Sequence, residues 1–402
     1  VGAPDFVEHD LVGHAGFLAI AYRRGCVQQG STADATIATV GSAEDADAAD
    51  RGIVDRSILD RSIADANTGA SPRVGELDAL RGLAALGVIL FHYTTFYQQE
   101  QGHLQPLGFG FPAGNYGVHL FFLISGFVIF MTLERTRTAM DFVVSRFSRL
   151  FPAYWAAMAI TAATVYAIGL PGQRIGADDL FANLTMLQEI LGFDHLDGSY
   201  WTLQVELFFY AQMLFWWMLG QLRRIHWIIA FWLAMTVVYA LTAKNHVHFS
   251  YTLREAMILR HIPFFAIGIL FYRLHARAGD ARLDIALILF ALVAIGVSYA
   301  PEYLVAGVIC CAIFALFLAG ALRWLRAAPF VFIGGISYSL YLLHQAIGFA
   351  VIHRLEAAGV PSLLAVALTI AIALVLATAL SRWVERPAMR ALRDGWRRRM
   401  VR

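Results

Sequence analysis

The chain has 402 residues, of which 59% are hydrophobic and 15% charged, with a formal net charge of +2. A soluble domain carries about a quarter charged residues, so this balance argues against a water-soluble enzyme, and no nucleic-acid partner is expected. Cys26, Cys310 and Cys311 lack the spacing of a metal site or disulfide framework, so neither a metal nor redox chemistry is expected.

Residues 1–72 are rich in Ala, Asp, Ser and Gly and are expected to form a mostly disordered cytosolic extension. Their apolar stretch at 15–22 is too short and badly flanked for a signal peptide. A five-residue echo, Asp50-Arg51, Asp55-Arg56 and Asp60-Arg61, covers too little chain for a solenoid. A start site assigned too far upstream is a competing explanation, because the membrane pattern begins abruptly near Glu76.

Ten apolar runs follow, at 77–97, 116–133, 150–170, 201–222, 225–242, 257–274, 283–299, 304–322, 330–352 and 362–383. Each is long enough for a helix to approach the ~30 Å hydrocarbon core at about 1.5 Å per residue. Backbone in lipid must satisfy its own hydrogen bonds, so the runs are expected to be helices. The expected fold is therefore all-α: a polytopic bundle of about ten transmembrane helices at 73–387, then a basic cytosolic tail at 388–402.

Basic residues alternate between the connections. Loops after the even runs carry Arg135, Arg137, Arg146, Arg149, Arg223, Arg224, Arg273, Arg277, Arg282, Arg323 and Arg326, and the tail adds eight more arginines from Arg382 onward. The other loops hold only Arg174, Lys244, Arg254 and Arg354. The positive-inside rule then puts both termini in the cytosol, as an even number of crossings requires. In the longest outer connection, 171–200, an amphipathic helix is expected at 180–191. No connection is long enough for a second folded domain, so the chemistry belongs to the bundle.

Polar groups inside apolar runs are costly and point to function. Arg81 and His92 are eleven residues apart, which puts them on nearly one face of the first helix and ~16 Å apart along it. His119, Glu206, Arg260, His261 and His344 fall at depths similar to His92. Arg146 and Arg149 share a helical face before Pro152, which suits the first turn of a helix, and two guanidiniums there can hold phosphate. The bland alternatives are bundle hydrogen bonds for His119, His261 and His344, topology marking for Arg146 and Arg149, an ion pair between Glu206 and Arg260, and snorkelling for Arg81.

The residues also carry a family resemblance. Glu76-Leu77-Asp78-Ala79-Leu80-Arg81-Gly82 with His92 resembles the opening motif of the acyltransferase-3 family of integral membrane acyltransferases. Gly117-Val118-His119-Leu120-Phe121-Phe122-Leu123-Ile124-Ser125-Gly126-Phe127 resembles its second-span signature, although aliphatic residues are common where His119 stands. Arg146-Phe147-Ser148-Arg149, Trp201-Thr202-Leu203 with Glu206, and Ile336-Ser337-Tyr338 through His344 resemble its later motifs. Five weak motifs in order on a ten-run plan are specific.

This resemblance implies transfer of an acyl group, with acetyl expected, from cytosolic acyl-CoA to a hydroxyl of a glycan or related acceptor. The family implies a bacterial inner membrane. Acyl-CoA is a co-substrate, and no bound cofactor is expected. A separate extracytoplasmic partner is compatible with the chain, because some members carry a fused esterase-like domain. Arg146, Arg149 and Arg81 are the expected acyl-CoA phosphate site. His92 is the expected general base or acyl carrier, with Glu206 orienting or stabilising its imidazole. His119, Ser125, Tyr341 and His344 are candidates for lining the substrate path. The competing class is a transporter or flippase for a lipid-linked sugar, for which no inverted repeat or matched pair of broken spans is evident. A membrane scaffold or receptor would leave the intramembrane polar groups without a role.

Overall fold

The computed structural model describes residues 74–171, 175–245 and 249–400. The extension expected at 1–72 lies outside the described residues. Among the described residues every regular element is helical. The first is α1, Gly75–Glu100, followed by α2, Pro112–Leu133, and α3, Ala139–Ile168. A short α4, Ala177–Asn183, precedes α5, Trp201–Met218, and α6, Gln221–Lys244. Next come α7, Tyr251–Ala256, α8, Ile262–Ala276, α9, Ala281–Ser298, and α10, Pro301–Leu318. The chain ends on α11, Ala328–Leu343, α12, Gln345–Ala357, and α13, Ser362–Met400.

Seven of these (α1, α2, α3, α6, α9, α10 and α13) are long and apolar enough to cross a membrane. The pair α11 and α12, bent by 73°, makes an eighth if counted as one span. The other two expected runs are helices that length and composition do not count as crossings. Gln204, Glu206 and Gln212 lower the hydropathy of α5. With 15 residues, α8 reaches only ~22 Å. Residues 262–272 of α8 are all buried, so it runs through the core of the bundle with protein on every side.

Two close crossings set the centre. Gly126 of α2 lies against the Phe265 carbonyl of α8, and Gly268 of α8 lies against the Leu123 carbonyl of α2, so a Cβ at either would strike backbone. Gly82 of α1 meets α11 in the same way: a Cβ there would come 2.8 Å from the Ile333 carbonyl carbon. Small residues let helices approach where apolar lipid supplies little drive for association. Polar clamps hold the ends of these helices. Arg326 donates from Nε to Glu76 Oε1 at 2.7 Å, and Ser339 Oγ donates to Glu385 Oε2 at 2.7 Å.

Two local expectations are corrected, at the start of the third span and at 180–191. The third span starts at Ala139, where Thr138 and Asp141 form a reciprocal capping box, so Pro152 is internal and Arg146 and Arg149 lie on the helix. The expected tail at 388–402 is helical through Met400. It is pinned to α3 by Arg393 Nε to Ser148 Oγ at 3.1 Å and Trp396 Nε1 to Asp141 Oδ1 at 2.8 Å. The helix expected at 180–191 ends at Asn183. The buried Asn183 amide donates to the carbonyls of Asp179 and Asp194, both at 2.8 Å, and its oxygen accepts from Leu196 N at 3.1 Å. That turn brings the following residues back onto the bundle.

Candidate active site

α1 is not a uniform α-helix. Residues Phe91–Phe96 make a π-helical turn. Such turns insert an extra residue and re-aim side chains, and they recur at functional sites. His92 sits in this turn. A second irregularity faces it, because the span from Ala328 to Ala357 breaks at His344. The break places His344 Nε2 3.3 Å from His92 Nδ1, with the rings edge to face and their centroids 4.8 Å apart. Phe91, Phe96 and Phe349 surround the His92 ring.

Hydrogen-bond chemistry assigns the protons of this pair. His344 Nδ1 lies 2.6 Å from the Tyr341 carbonyl, and His92 Nδ1 lies 2.9 Å from the Val88 carbonyl. A carbonyl oxygen only accepts, so both Nδ1 atoms carry hydrogen. In neutral rings both Nε2 atoms then carry a lone pair. The His92 Nδ1–H is shared between Val88 O and His344 Nε2. His92 Nε2 has no hydrogen-bond partner among the described residues and is free to accept a proton.

The broken span needs partners for its exposed backbone. Tyr93 OH donates to His344 O at 2.7 Å, and Tyr200 OH donates to Leu342 O at 3.2 Å. Asp197 Oδ2 accepts from Ala346 N at 2.8 Å, while Oδ1 accepts from Ser199 N at 2.9 Å and Ser199 Oγ at 2.6 Å. Tyr341, beside His344, accepts from Thr202 Oγ1 at 2.9 Å and donates to Ser199 O at 3.3 Å.

The arginines gather toward the other end of α1. Arg81 Nη1 reaches Asp78 Oδ1 at 3.2 Å and lies within electrostatic reach of Arg149 and Glu206. The Arg146 guanidinium stands 5.8 Å from the ring centres of both Phe142 and Tyr210, and its buried Nε has no hydrogen-bond partner. Arg149 stands 6.0 Å over Tyr338. Among the described residues neither Arg146 nor Arg149 has a carboxylate within ion-pair distance. Guanidiniums on aromatic faces without a bound counter-ion suit an incoming phosphate.

Glu206 belongs with this second group. Its Oε1 accepts from Ser125 Oγ at 2.9 Å and from Tyr210 OH at 2.5 Å. It makes no hydrogen bond to His92, so His344 takes the orienting place expected for Glu206. The Glu206–Arg260 ion pair, the bland alternative for these two residues, is likewise absent among the described residues. Depth along a span is readable by counting residues, but lateral position around the bundle is not.

Ser125 thus sits with Glu206, and Tyr341 and His344 sit with His92. His119 joins neither group. It packs 4.4 Å from Phe264 and 5.3 Å from Tyr303, ring centre to ring centre. Phe121, two residues on, faces Tyr341 instead. Two residues turn ~200° around a helix, which puts His119 on the opposite face of α2. Asp197 is the residue that sequence reasoning missed. Asp-Gly-Ser before an apolar run is a helix-start pattern, but Ala346, 149 positions away, has no sequence signal linking it to Asp197.

Comparison with known proteins bears on these residues. The acyltransferase-3 family model, described as an acyltransferase domain, matches residues 74–382. Acyltransferase MdmB of Streptomyces mycarofaciens is 28% identical over 374 residues, 80% of this chain and 94% of that protein. Protein 2 in picA locus of Rhizobium radiobacter is 36% identical over 104 residues, 24% of this chain. The matched part is 49% of that relative, so the chain spans about half its length. No solved structure matches. The family match spans every element that carries the histidine pair and the arginine group, and the chain belongs to the acyltransferase-3 family.

Proposed function

We propose that this protein transfers an acyl group, acetyl in the first instance, from cytosolic acyl-CoA to a hydroxyl of a carbohydrate or related acceptor. The observation that carries the reading is the unpartnered His92 Nε2 on α1, whose Arg81 end gathers with Arg146 and Arg149 of α3, two arginines without a carboxylate at ion-pair distance among the described residues. Ten crossings of a bacterial inner membrane, with both termini cytosolic, put the arginine end at the cytosol. Arg146, Arg149 and Arg81 then hold the coenzyme A phosphates, and the pantetheine arm runs along α1 toward His92, eleven residues from Arg81.

His92 Nε2 takes the proton of the acceptor hydroxyl as its oxygen attacks the thioester carbonyl. The tetrahedral intermediate expels the thiolate, which takes that proton from the imidazolium and leaves as coenzyme A. While charged, His92 keeps Nδ1–H on Val88 O and His344 Nε2, so the positive charge is spread over a preformed hydrogen bond. The same Nε2 lone pair can instead carry the acyl group. A first-span peptide heavier by one acyl group after rapid quenching would select that route.

The decisive assay is release of free thiol by purified protein given acetyl-CoA and a sugar acceptor. Thiol release that needs the acceptor is the expected result. A protein that moves a labelled lipid-linked sugar across vesicles and frees no thiol would overturn the reading.

A further inference from the structure

A helix broken inside an apolar bundle must find partners for the backbone groups it frees. At His344 the partners of the Leu342 carbonyl and the Ala346 amide come from the segment just before α5, while Tyr93 of α1 takes the His344 carbonyl. Ser199 meets the Tyr341 hydroxyl through its carbonyl, Tyr200 takes the Leu342 carbonyl, and Asp197 takes the Ala346 amide. Asp197 is fully buried and accepts three hydrogen bonds, two from Ser199 and one from the first turn of α12. Its carboxyl group faces the N-terminal end of a 13-residue helix and lies within electrostatic reach of His92. Gly198 packs against the Gln345 side chain, so a Cβ there would require that amide to move.

We propose that Asp197 is a positioning residue: it caps α12 from another element and thereby holds His344 Nε2 against His92 Nδ1. The proposal rests on the acyl-transfer reading above for its catalytic consequence, while its structural half stands alone. Asp197 touches neither the acceptor hydroxyl nor the thioester; it acts through His344. Both carboxylate oxygens are needed, because one holds Ser199 and the other holds α12. An Asn at this position keeps a single good acceptor and offers an amide that neither backbone N–H can accept.

Asp197→Ala and the milder Asp197→Asn test this in the full chain. Amide hydrogen exchange of the peptide spanning His344 and Ala346 reads the cap without turnover, and acetyl-CoA kinetics read its consequence. Faster exchange is expected in both variants, larger for Ala. With it, kcat should fall about 10²-fold for Ala, the scale of a small misplacement of a catalytic group, with KM for acetyl-CoA unchanged. If exchange rises while kcat holds, or exchange is unchanged in Asn, the positioning role is overturned. Wild-type thiol release tests the reaction separately. Should Ala not fold, Asn carries both measurements.

Discussion

The two ends of α1 are built on opposite principles. At the His92 end the polar groups are matched except for His92 Nε2: two imidazoles, the Asp197 carboxyl, three tyrosine hydroxyls and freed carbonyls of a broken span otherwise account for one another. At the Arg81 end, among the described residues, Arg146 and Arg149 have no carboxylate at ion-pair distance, and Arg146 leaves Nε without a hydrogen-bond partner. A satisfied network fixes geometry, which a proton transfer needs. An unsatisfied cationic group awaits an anion. Under the proposed function the contrast corresponds to a reacting centre and a binding mouth, and predicts that substitutions at one end change kcat while those at the other change KM.

His92→Ala strikes that contrast hardest. Thiol release in the presence of acceptor should fall by about 10³-fold, within the range for a lost general base, with acetyl-CoA affinity kept. Near-normal turnover in a correctly inserted variant would remove His92 from the chemistry. His344→Ala should cost less, about 10–10²-fold in kcat, because it deletes one of the two acceptors of the His92 Nδ1–H and leaves the base in place. A change confined to KM would put His344 on the wrong side of the comparison.

Arg146→Ala combined with Arg149→Ala should raise KM for acetyl-CoA about tenfold or more, since each lost charged hydrogen bond is worth ~1.5–3 kcal/mol. Turnover of acetyl-pantetheine, which lacks the nucleotide phosphates, should be unaffected. Equal loss on both donors would break the assignment of the arginines to phosphate. Glu206→Gln should behave like an arginine-end variant, with a few-fold change in donor KM and little in kcat. A pure kcat effect would return Glu206 to the histidine.

The smallest expected effect tests the loop that delivers Asp197. His195, with the Tyr251 hydroxyl, holds the Glu189 carboxyl below the usual carboxylate range. A carboxylate depressed in the folded state adds stability above its unfolded value near ~4.3, and that stability is lost as pH falls through the lower folded value. The melting temperature should therefore drop slightly on acidification below about pH 4, and Glu189→Gln should flatten that drop. An identical slope in the variant would show that this contact does not hold the loop.

Much of the helix plan could be read from hydropathy, since each apolar run is a helix. The boundaries that moved did so for local reasons. The Thr138–Asp141 capping box starts α3 well before Pro152, and the arginines after Trp383 continue a helix because Arg393 and Trp396 find partners on α3. Arg81 and His92 were legible because a polar residue in an apolar run stands out. Asp197 was not, since an acidic residue in a polar loop looks ordinary until the loop folds back. The π turn at His92 left no mark in composition.

What the sequence determined by itself was the class of solvent, the helices and the depth of each polar group, because all three depend on neighbours within a turn or two of the chain. Only the tertiary structure decided which groups at equal depth meet. It turned Glu206 to the arginines, His119 to the far face of α2, and His344 onto His92. Lateral placement depends on how helices rotate and cross, and those contacts join residues hundreds of positions apart, such as His92 and His344, separated by 252.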